Sequence, residues 1–294
     1  MLLTTMTERI AKVFDDIKAV ELIKKAGFDS IDITLDFWDD IGIFDGDYLS
    51  YARKIKARAD ELGIGFTQAH APFNLSTDDG EEACYKNTFD VTVKCLECCE
   101  IFGVDILVVH PLQYRKYYTN REFFKELNKK YYNELLPYCK KYGVKIACEN
   151  MWQYSKESNC IVDSVCADPD EFNEYIDMVD SEYLVACLDL GHCGLTHRDA
   201  GYCIRKMGGD RIKALHIHDN DFKHDFHTMP LFGDMDWEDI TKALAEINYD
   251  GNFTLEADGF LSGIGADEEL LLEALILMEK ISRKLIKKIE SYKK

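Results

Sequence analysis

The chain of 294 residues carries 35 Lys and Arg against 54 Asp and Glu, so its formal net charge is 35 − 54 = −19. With 47% apolar and 30% charged residues it has the makeup of a folded globular chain, which argues against disorder. The acid excess disfavours nucleic acid as a partner, because affinity for a phosphate backbone needs clustered Lys and Arg.

No stretch reaches the ~18–20 apolar residues of a membrane span. The longest apolar run, Leu270 to Met278, is broken by Glu273 and reads as a buried helix face. The start, Met1-Leu2-Leu3-Thr4-Thr5, has no basic segment and no long apolar core, so no secretory signal is expected. Eleven cysteines form no regular framework, which fits a reducing cytoplasm.

One local unit recurs: a helical stretch ends in Gly and an apolar strand begins at once. It stands at Lys24-Lys25-Ala26-Gly27, Glu61-Leu62-Gly63, Ile101-Phe102-Gly103 and Lys141-Tyr142-Gly143, with weaker copies at Gly209 and Gly251. The four clear copies are 36, 40 and 40 residues apart, the length of a strand-helix unit. In chain order, strands are predicted near 2–5, 30–35, 64–69, 104–109, 144–148, 185–188, 212–217 and 253–256. Between them, Cys84, Val91, Cys95, Cys98 and Phe102 share one helical face, and Leu270, Ala274, Leu277, Ile281 and Leu285 share another. Cys95-x-x-Cys98-Cys99 therefore reads as helix packing. Asp236-Trp237-Glu238-Asp239 reads as a helix start capped by Asp236. Eight apolar strands alternating with helices imply an α/β fold, a (β/α)8 TIM barrel, over one domain spanning 1–294. An open doubly wound sheet is the alternative, but no Gly-rich dinucleotide fingerprint follows an early strand.

The chemistry-bearing residues fall at the strand ends. His70 follows the third strand, His110 the fourth, Glu149 the fifth, Asp189 the sixth with His192 three residues on, His216 the seventh, and Glu256 the eighth. Each alone reads as a rim hydrogen bond or a helix cap. Six in register at the mouth where barrel active sites form is a different matter. Carboxylates gathered there would repel one another without a positive partner. A divalent cation at Glu149, Asp189, His216 and Glu256 is the simplest solution, and three carboxylates with one imidazole suit Mn²⁺, Zn²⁺, Co²⁺ or Mg²⁺. After the seventh strand, His218-Asp219-Asn220-Asp221 leads to Asp225-Phe226-His227, where Asp225 and His227 could share a ligand. His197 and His224 read as solvated.

His70-Ala71-Pro72, Val109-His110-Pro111, Cys148-Glu149-Asn150, Leu188-Asp189-Leu190-Gly191-His192, His216-Ile217-His218-Asp219-Asn220-Asp221, Asp225-Phe226-His227 and Leu255-Glu256 occur in the order seen in the xylose-isomerase-like TIM-barrel superfamily. The chain resembles its sugar phosphate isomerase/epimerase branch over about residues 2–290. The resemblance implies a metal on Glu149, Asp189, His216 and Glu256, with Glu149 and Glu256 also exchanging substrate protons and His192 contacting substrate oxygens. Zn²⁺ or Mn²⁺ is the expected ion, with Co²⁺ or Mg²⁺ compatible. Endonuclease-IV-type abasic-site nucleases share the superfamily, and their three-metal pattern would fall on His70, His110, Glu149, Asp189, His192, His216, Asp225, His227 and Glu256. His70, His110, His192, Asp225 and His227 are therefore candidates for a second metal or for substrate. Ser155 stands where ketose 3-epimerases carry a second Glu, and Phe222 where they carry an Arg, which argues against that activity as such.

The expected function is a metal-dependent isomerase or epimerase of a sugar, sugar phosphate or related polyol, working through an enediolate. Alternatives are a zinc phosphodiesterase acting on abasic DNA, a keto-sugar or cyclitol dehydratase, and a barrel that only binds its ligand. The expected partner is a small sugar or sugar phosphate, with no membrane; a homo-oligomer is compatible. Arg115-Lys116 among Tyr114, Tyr117 and Tyr118 is either a solvated loop or a sugar- or phosphate-contacting one. Trp152 and Phe73 either stack on a sugar or pack the rim.

Overall fold

The computed structural model describes residues 1–73 and 76–293. Its strands are β1 (Leu3–Met6), β2 (Ser30–Thr34), β3 (Gly65–His70), β4 (Ile106–Val109), β5 (Lys145–Glu149), β6 (Trp152–Ser155), β7 (Cys160–Asp163), β8 (Leu184–Asp189), β9 (Ile212–His216) and β10 (Phe253–Leu255). Eight of them form one parallel sheet in the order β10-β1-β2-β3-β4-β5-β8-β9. A parallel bridge between Ile217 and Leu255 joins β9 to β10, with backbone bonds of 3.0 Å from Ile217 to Thr254 and 3.1 Å from Glu256 to Ile217. The ring is the expected (β/α)8 barrel.

Each predicted strand lies within a residue or two of an observed one. At Gly27, Gly63, Gly103 and Gly143 the helix does end in the left-handed conformation, with φ of 100°, 64°, 71° and 69°. Gly209 differs. The helix Ala200–Met207 is capped by Gly208, and Gly209 is small because a β-carbon there would stand 2.6 Å from the Ile247 carbonyl oxygen.

The last helix, Glu268–Tyr292, corrects the predicted face. It buries Leu271, Leu275, Met278, Ser282, Leu285 and Ile289, while Leu270 and Leu277 are exposed. Apolar residues crowd the N-terminal half of this helix, from Leu270 to Met278, so two stripes one residue apart fit the same period. Cys95, Cys98 and Cys99 are buried in the Glu81–Phe102 helix against the sheet, and all eleven cysteines are free thiols. Asp236 caps its helix through the backbone N–H groups of Glu238 and Asp239. Among the described residues no helix is long and apolar enough to cross a membrane.

The main core lies between the strands and the outer helices. Inside the barrel Val108, Ala147, Val185, Cys187 and Ala214 make a smaller apolar plug, with buried Asp32 and Gln68 beside it. The antiparallel hairpin β6–β7 follows β5, with Trp152 paired to Asp163. Arg198 clamps that hairpin through both Asp163 oxygens at 2.7 and 2.9 Å, which holds Trp152 at the barrel mouth.

Candidate metal centre

Strand register brings the donors together. Glu149, Asp189 and His216 are the last residues of β5, β8 and β9, and Asp189 pairs directly with His216. Glu256 follows β10 at once. One side-chain donor from each of Glu149, Asp189, His216 and Glu256 lies within 4.8 Å of all the others. His216 Nδ1 is 3.3 Å from Glu149 Oε2 and 2.7 Å from Glu256 Oε2. Yet Glu149 Oε2, Asp189 Oδ2, His216 Nδ1 and Glu256 Oε2 are all buried without an aligned hydrogen bond. They are close enough to share one centre, and none makes an aligned hydrogen bond to another. Unpaired buried donors of this kind carry a large desolvation penalty unless a cation or solvent meets them, so the four residues fit a divalent ion.

Two further groups adjoin this one. His70, His110 and Glu149 bring donors within 4.8 Å of one another, with His110 Nε2 3.1 Å and His70 Nε2 3.7 Å from Glu149 Oε2. On the other side stand His192, His218, Asp225 and His227. His227 Nε2 is 3.2 Å from Asp225 Oδ1, and His192 Nε2 is 3.7 Å from Asp225 Oδ2. Seven residues of the sequence-derived set thus line one basin, and Asp189 and His216 lie fully buried beneath it against the others.

Backbone carbonyls fix the imidazoles. His70 Nδ1 meets the Ala71 carbonyl at 2.9 Å, His192 Nδ1 that of Asn150 at 2.7 Å, and His227 Nδ1 that of Glu256 at 3.0 Å. A carbonyl only accepts, so each Nδ1 carries the proton and each Nε2 is turned to the carboxylates, the arrangement that prepares an imidazole for a metal. Asn150 ties β5 to β8, accepting from the Asp189 N–H at 2.8 Å and donating to the Asp189 carbonyl at 2.9 Å. Asp219 organises the loop that carries Asp225 and His227, accepting from Leu231, Met235 and the Trp237 indole at 3.0, 3.2 and 2.7 Å.

Sequence reasoning named His218 and Asp219 without assigning either a role, and passed over Asp32. His218 is fully buried, with Nε2 3.1 Å from Asp189 Oδ1 and its ring stacked on His227 at 4.1 Å. Its place two residues after His216, on the same side of the extended chain, was the available signal. Asp32 lies inside the barrel 3.9 Å from His216 Nε2, held by Gln68 Nε2 at 2.7 Å.

The electrostatics follow from crowding. Burial opposes ionisation of Glu149, but the charges of His216 and His110 outweigh it and hold the carboxyl well below its usual range. Glu256 is lowered in the same way, burial being overcome by His216 and His227. Burial disfavours the charged form of His70, yet Glu149 raises it to about 9; Asp189 and Asp225 raise His192, against burial, to about 10. His110 moves the other way, because burial dominates there.

The basin opens into a cavity of about 490 Å³ lined by Phe73, Met151, Trp152 and Phe226 as well as the His and acidic residues. Phe73 lies 4.5 Å from the His110 ring, and the Trp152 indole donates to Asp225 at 3.2 Å, so both pack the rim and face the cavity. The Arg115-Lys116 pair does not line it: Arg115 binds Glu81 at 2.6 Å and Lys116 binds Glu157. His197 and His224 are exposed, the latter 2.8 Å from Asp221. Ser155 sits at the end of β6 and Phe222 against Gly194, both outside the cavity lining.

Residues 20–281 match the model of the xylose isomerase-like TIM barrel family. The protein MJ1311 of Methanocaldococcus jannaschii is 26% identical over 221 residues, covering 73% of this chain and 72% of that protein. Among solved structures, D-psicose 3-epimerase of Clostridium cellulolyticum H10 superposes with a TM-score of 0.73 at 19% identity, over 97% of this chain and 99% of that one. The IolI protein, solved with a zinc atom, gives 0.73 at 19% identity over 99% of each chain. At such identities the structural likeness speaks for the fold alone. The match over most of the length, on a barrel whose strand ends converge as described, means that the chain belongs to the xylose isomerase-like TIM barrel family.

Proposed function

We propose that the chain is a divalent-metal-dependent isomerase or epimerase of a sugar or related polyol. The observation that carries this reading is the convergence of four buried, unpaired donors from four strand ends at the floor of an open cavity. Glu149, Asp189, His216 and Glu256 would hold the ion, with nitrogen and oxygen donors that suit Zn²⁺ or Mn²⁺ and also Co²⁺. When bound, the ion supplies Lewis acidity, which polarises the substrate carbonyl and acidifies the adjacent C–H.

The two glutamates supply the proton transfers. Glu149 Oε2 and Glu256 Oε2 face the centre. Glu149 Oε1 lies 3.5 Å from His192 Nδ1 and Glu256 Oε1 4.0 Å from His227 Nδ1, so each carboxylate also meets one imidazole of the outer group. Both carboxyls are held ionised by their imidazole neighbours and so are ready to accept. One takes the proton from the carbon beside the carbonyl, leaving an enediolate; the other, having first accepted a proton from solvent, delivers that proton to the neighbouring carbon or to the opposite face, and the first then releases its proton to solvent. His192 presents Nε2 to a substrate hydroxyl, its ring set by the Asn150 carbonyl. A lyase variant uses the same first step and then loses a β-hydroxyl.

The test is proton exchange: metal-loaded protein in D₂O with a panel of free and phosphorylated ketoses and aldoses, followed by NMR at the carbon beside the carbonyl. Deuterium uptake that disappears in Glu149→Gln supports the reading; no uptake in any sugar removes it. The three adjoining donor groups favour one second reading, a multi-metal phosphodiesterase acting on abasic DNA. Its test is nicking of an abasic-site duplex by the metal-loaded protein.

A further inference from the structure

The mouth of this cavity has one unusual charge pattern. The segments after β1, β2 and β10, three neighbours in the sheet, contribute Glu8, Asp36 and Asp258 to its wall. None of the three belongs to the donor groups on the floor. Among the described residues no Lys or Arg lines the cavity. The cations nearest its rim are engaged: Lys12 with Glu8, Arg9 with the Ser262 carbonyl at 2.5 Å, Arg115 with Glu81 and Lys116 with Glu157. The lining imidazoles face carboxylates already, His70 and His110 on Glu149, and His192 and His227 on Asp225. Among the described residues neither Asp36 nor Asp258 accepts a hydrogen bond; the charges of His70, His110 and Lys12 act on Asp36, and those of His227, 3.6 Å away, His218 and Lys12 on Asp258. On the floor below, Glu149 Oε2 and His70 Nε2 are buried without an aligned hydrogen bond.

A phosphoryl group brings ≈ −1.5 to −2 charges and needs donors or cations to replace its water. This wall offers acceptors instead, and like charges close together in a partly desolvated cleft repel. Sugar hydroxyls are donors, and carboxylates are their natural acceptors. Phe73 and Trp152, also in the lining, offer flat apolar surface to the C–H face of a polyol.

We propose that Asp36 and Asp258 are specificity-determining residues that select an uncharged polyhydroxylated substrate and reject its phosphate or carboxylate forms. The proposal takes from the proposed function only that this cavity receives the substrate. The carboxylates accept hydrogen bonds from hydroxyls remote from the reacting carbons, while the floor handles the carbonyl end.

The test is calorimetric binding of two unreactive probes, D-arabinitol and D-arabinitol 5-phosphate, to the metal-loaded protein at 20 and 300 mM salt. The expected result is at least tenfold tighter binding of the free polyol, a ratio that shrinks as salt screens the wall. In Asp36→Asn/Asp258→Asn the ratio should fall at least threefold. Equal or tighter binding of the phosphate, no binding of either probe, or an unchanged ratio in a folded double variant overturns the assignment. Should that variant not fold, the salt dependence of the unmodified protein decides: a ratio indifferent to salt overturns it. Because binding is read rather than turnover, a polyol preference without proton exchange in any sugar would keep this assignment and remove the reaction class.

Discussion

Gly191 makes room for the His218 ring: a β-carbon at position 191 would stand 2.0 Å from His218 Cε1 and 2.4 Å from its Nε2. The ring is fully buried and cannot yield outward. It sits against Asp189 on one side and stacks on His227 on the other, so it joins the central donor group to the outer one. Gly191→Ala should push His218 aside and release Asp189 Oδ1. Outer partners of metal ligands are worth roughly 10–100-fold in affinity, and a loss of about that size is expected in competition against a chelator. Gly263→Ala, where a β-carbon meets nothing within 4 Å, should leave affinity unchanged. Equal affinity in both variants would contradict the link.

The two glutamates should separate by their surroundings. Glu149 touches both the His70–His110 group and His216, whereas Glu256 touches His216 and His227. Glu149→Gln removes a charge shared by two donor groups, so metal content and proton exchange should fall together. Glu256→Gln should keep most of the metal and lose exchange by about 10²–10⁴-fold, the usual span for a positioned acid or base. Metal analysis beside deuterium uptake reads both.

The outer group makes a prediction about metal number. Asp225 and His227 stand on the loop ordered by Asp219, not on a barrel strand, and share no donor with the four central residues. Asp225→Ala/His227→Ala should therefore lower the metal count per chain in zinc-loaded protein without emptying the central site. Elemental analysis gives the number, and a count that drops to zero would mean that the groups are one cooperative site.

Much of this site was legible because barrel topology repeats. A Gly-terminated helix followed by an apolar strand marks four of the units, and the residue at the strand's end marks the mouth, which is how Glu149, Asp189, His216 and Glu256 could be grouped. What stayed hidden depends on packing between units. His218 is defined by the space above Gly191, and the short hairpin β6–β7 mixes polar and apolar residues across its pairs. The acidic wall unites Glu8, Asp36 and Asp258 only because the sheet closes on itself, bringing the segment after β10 beside that after β1. The buried face of the last helix was missed by one residue because its apolar surface is wider than one stripe.

Metal uptake should release protons. His70 and His192, raised to about 9 and 10, are protonated at neutral pH, and an ion bound through their Nε2 atoms must displace those protons. The sign is fixed: lower pH favours the protonated imidazoles and weakens the metal. Below those pKa values, affinity should rise roughly tenfold per pH unit for each proton displaced. Chelator competition at pH 6.5, 7.5 and 8.5 measures the slope. His216, the central imidazole, is also raised well above its ordinary value by Cys187, Glu256 and Glu149 against burial, so a slope of one proton fits the four central residues alone and a flat profile would mean that no imidazole gives up a proton to the ion.

Asp16 gives a pH dependence remote from the site. It is fully buried at the start of the helix Asp16–Ala26, where Oδ2 accepts from the Trp38 indole at 3.1 Å and the Tyr51 hydroxyl at 3.0 Å while Oδ1 has no partner. Burial pushes its pKa up to about 7 against the two hydrogen bonds. In the unfolded chain the value is about 3.9. A carboxyl raised on folding favours the native state below the unfolded pKa, and that advantage is lost as pH rises through the folded value. The lost amount is on the order of a few kcal/mol. Asp16→Asn keeps an acceptor for Trp38 and Tyr51 and cannot ionise, so relative to the unmodified protein it should gain stability from pH 5 to pH 8. Urea unfolding of both proteins at the two pH values isolates this group, since every other titration cancels in the difference. If the gap between the two proteins is the same at both pH values, Asp16 does not titrate between them.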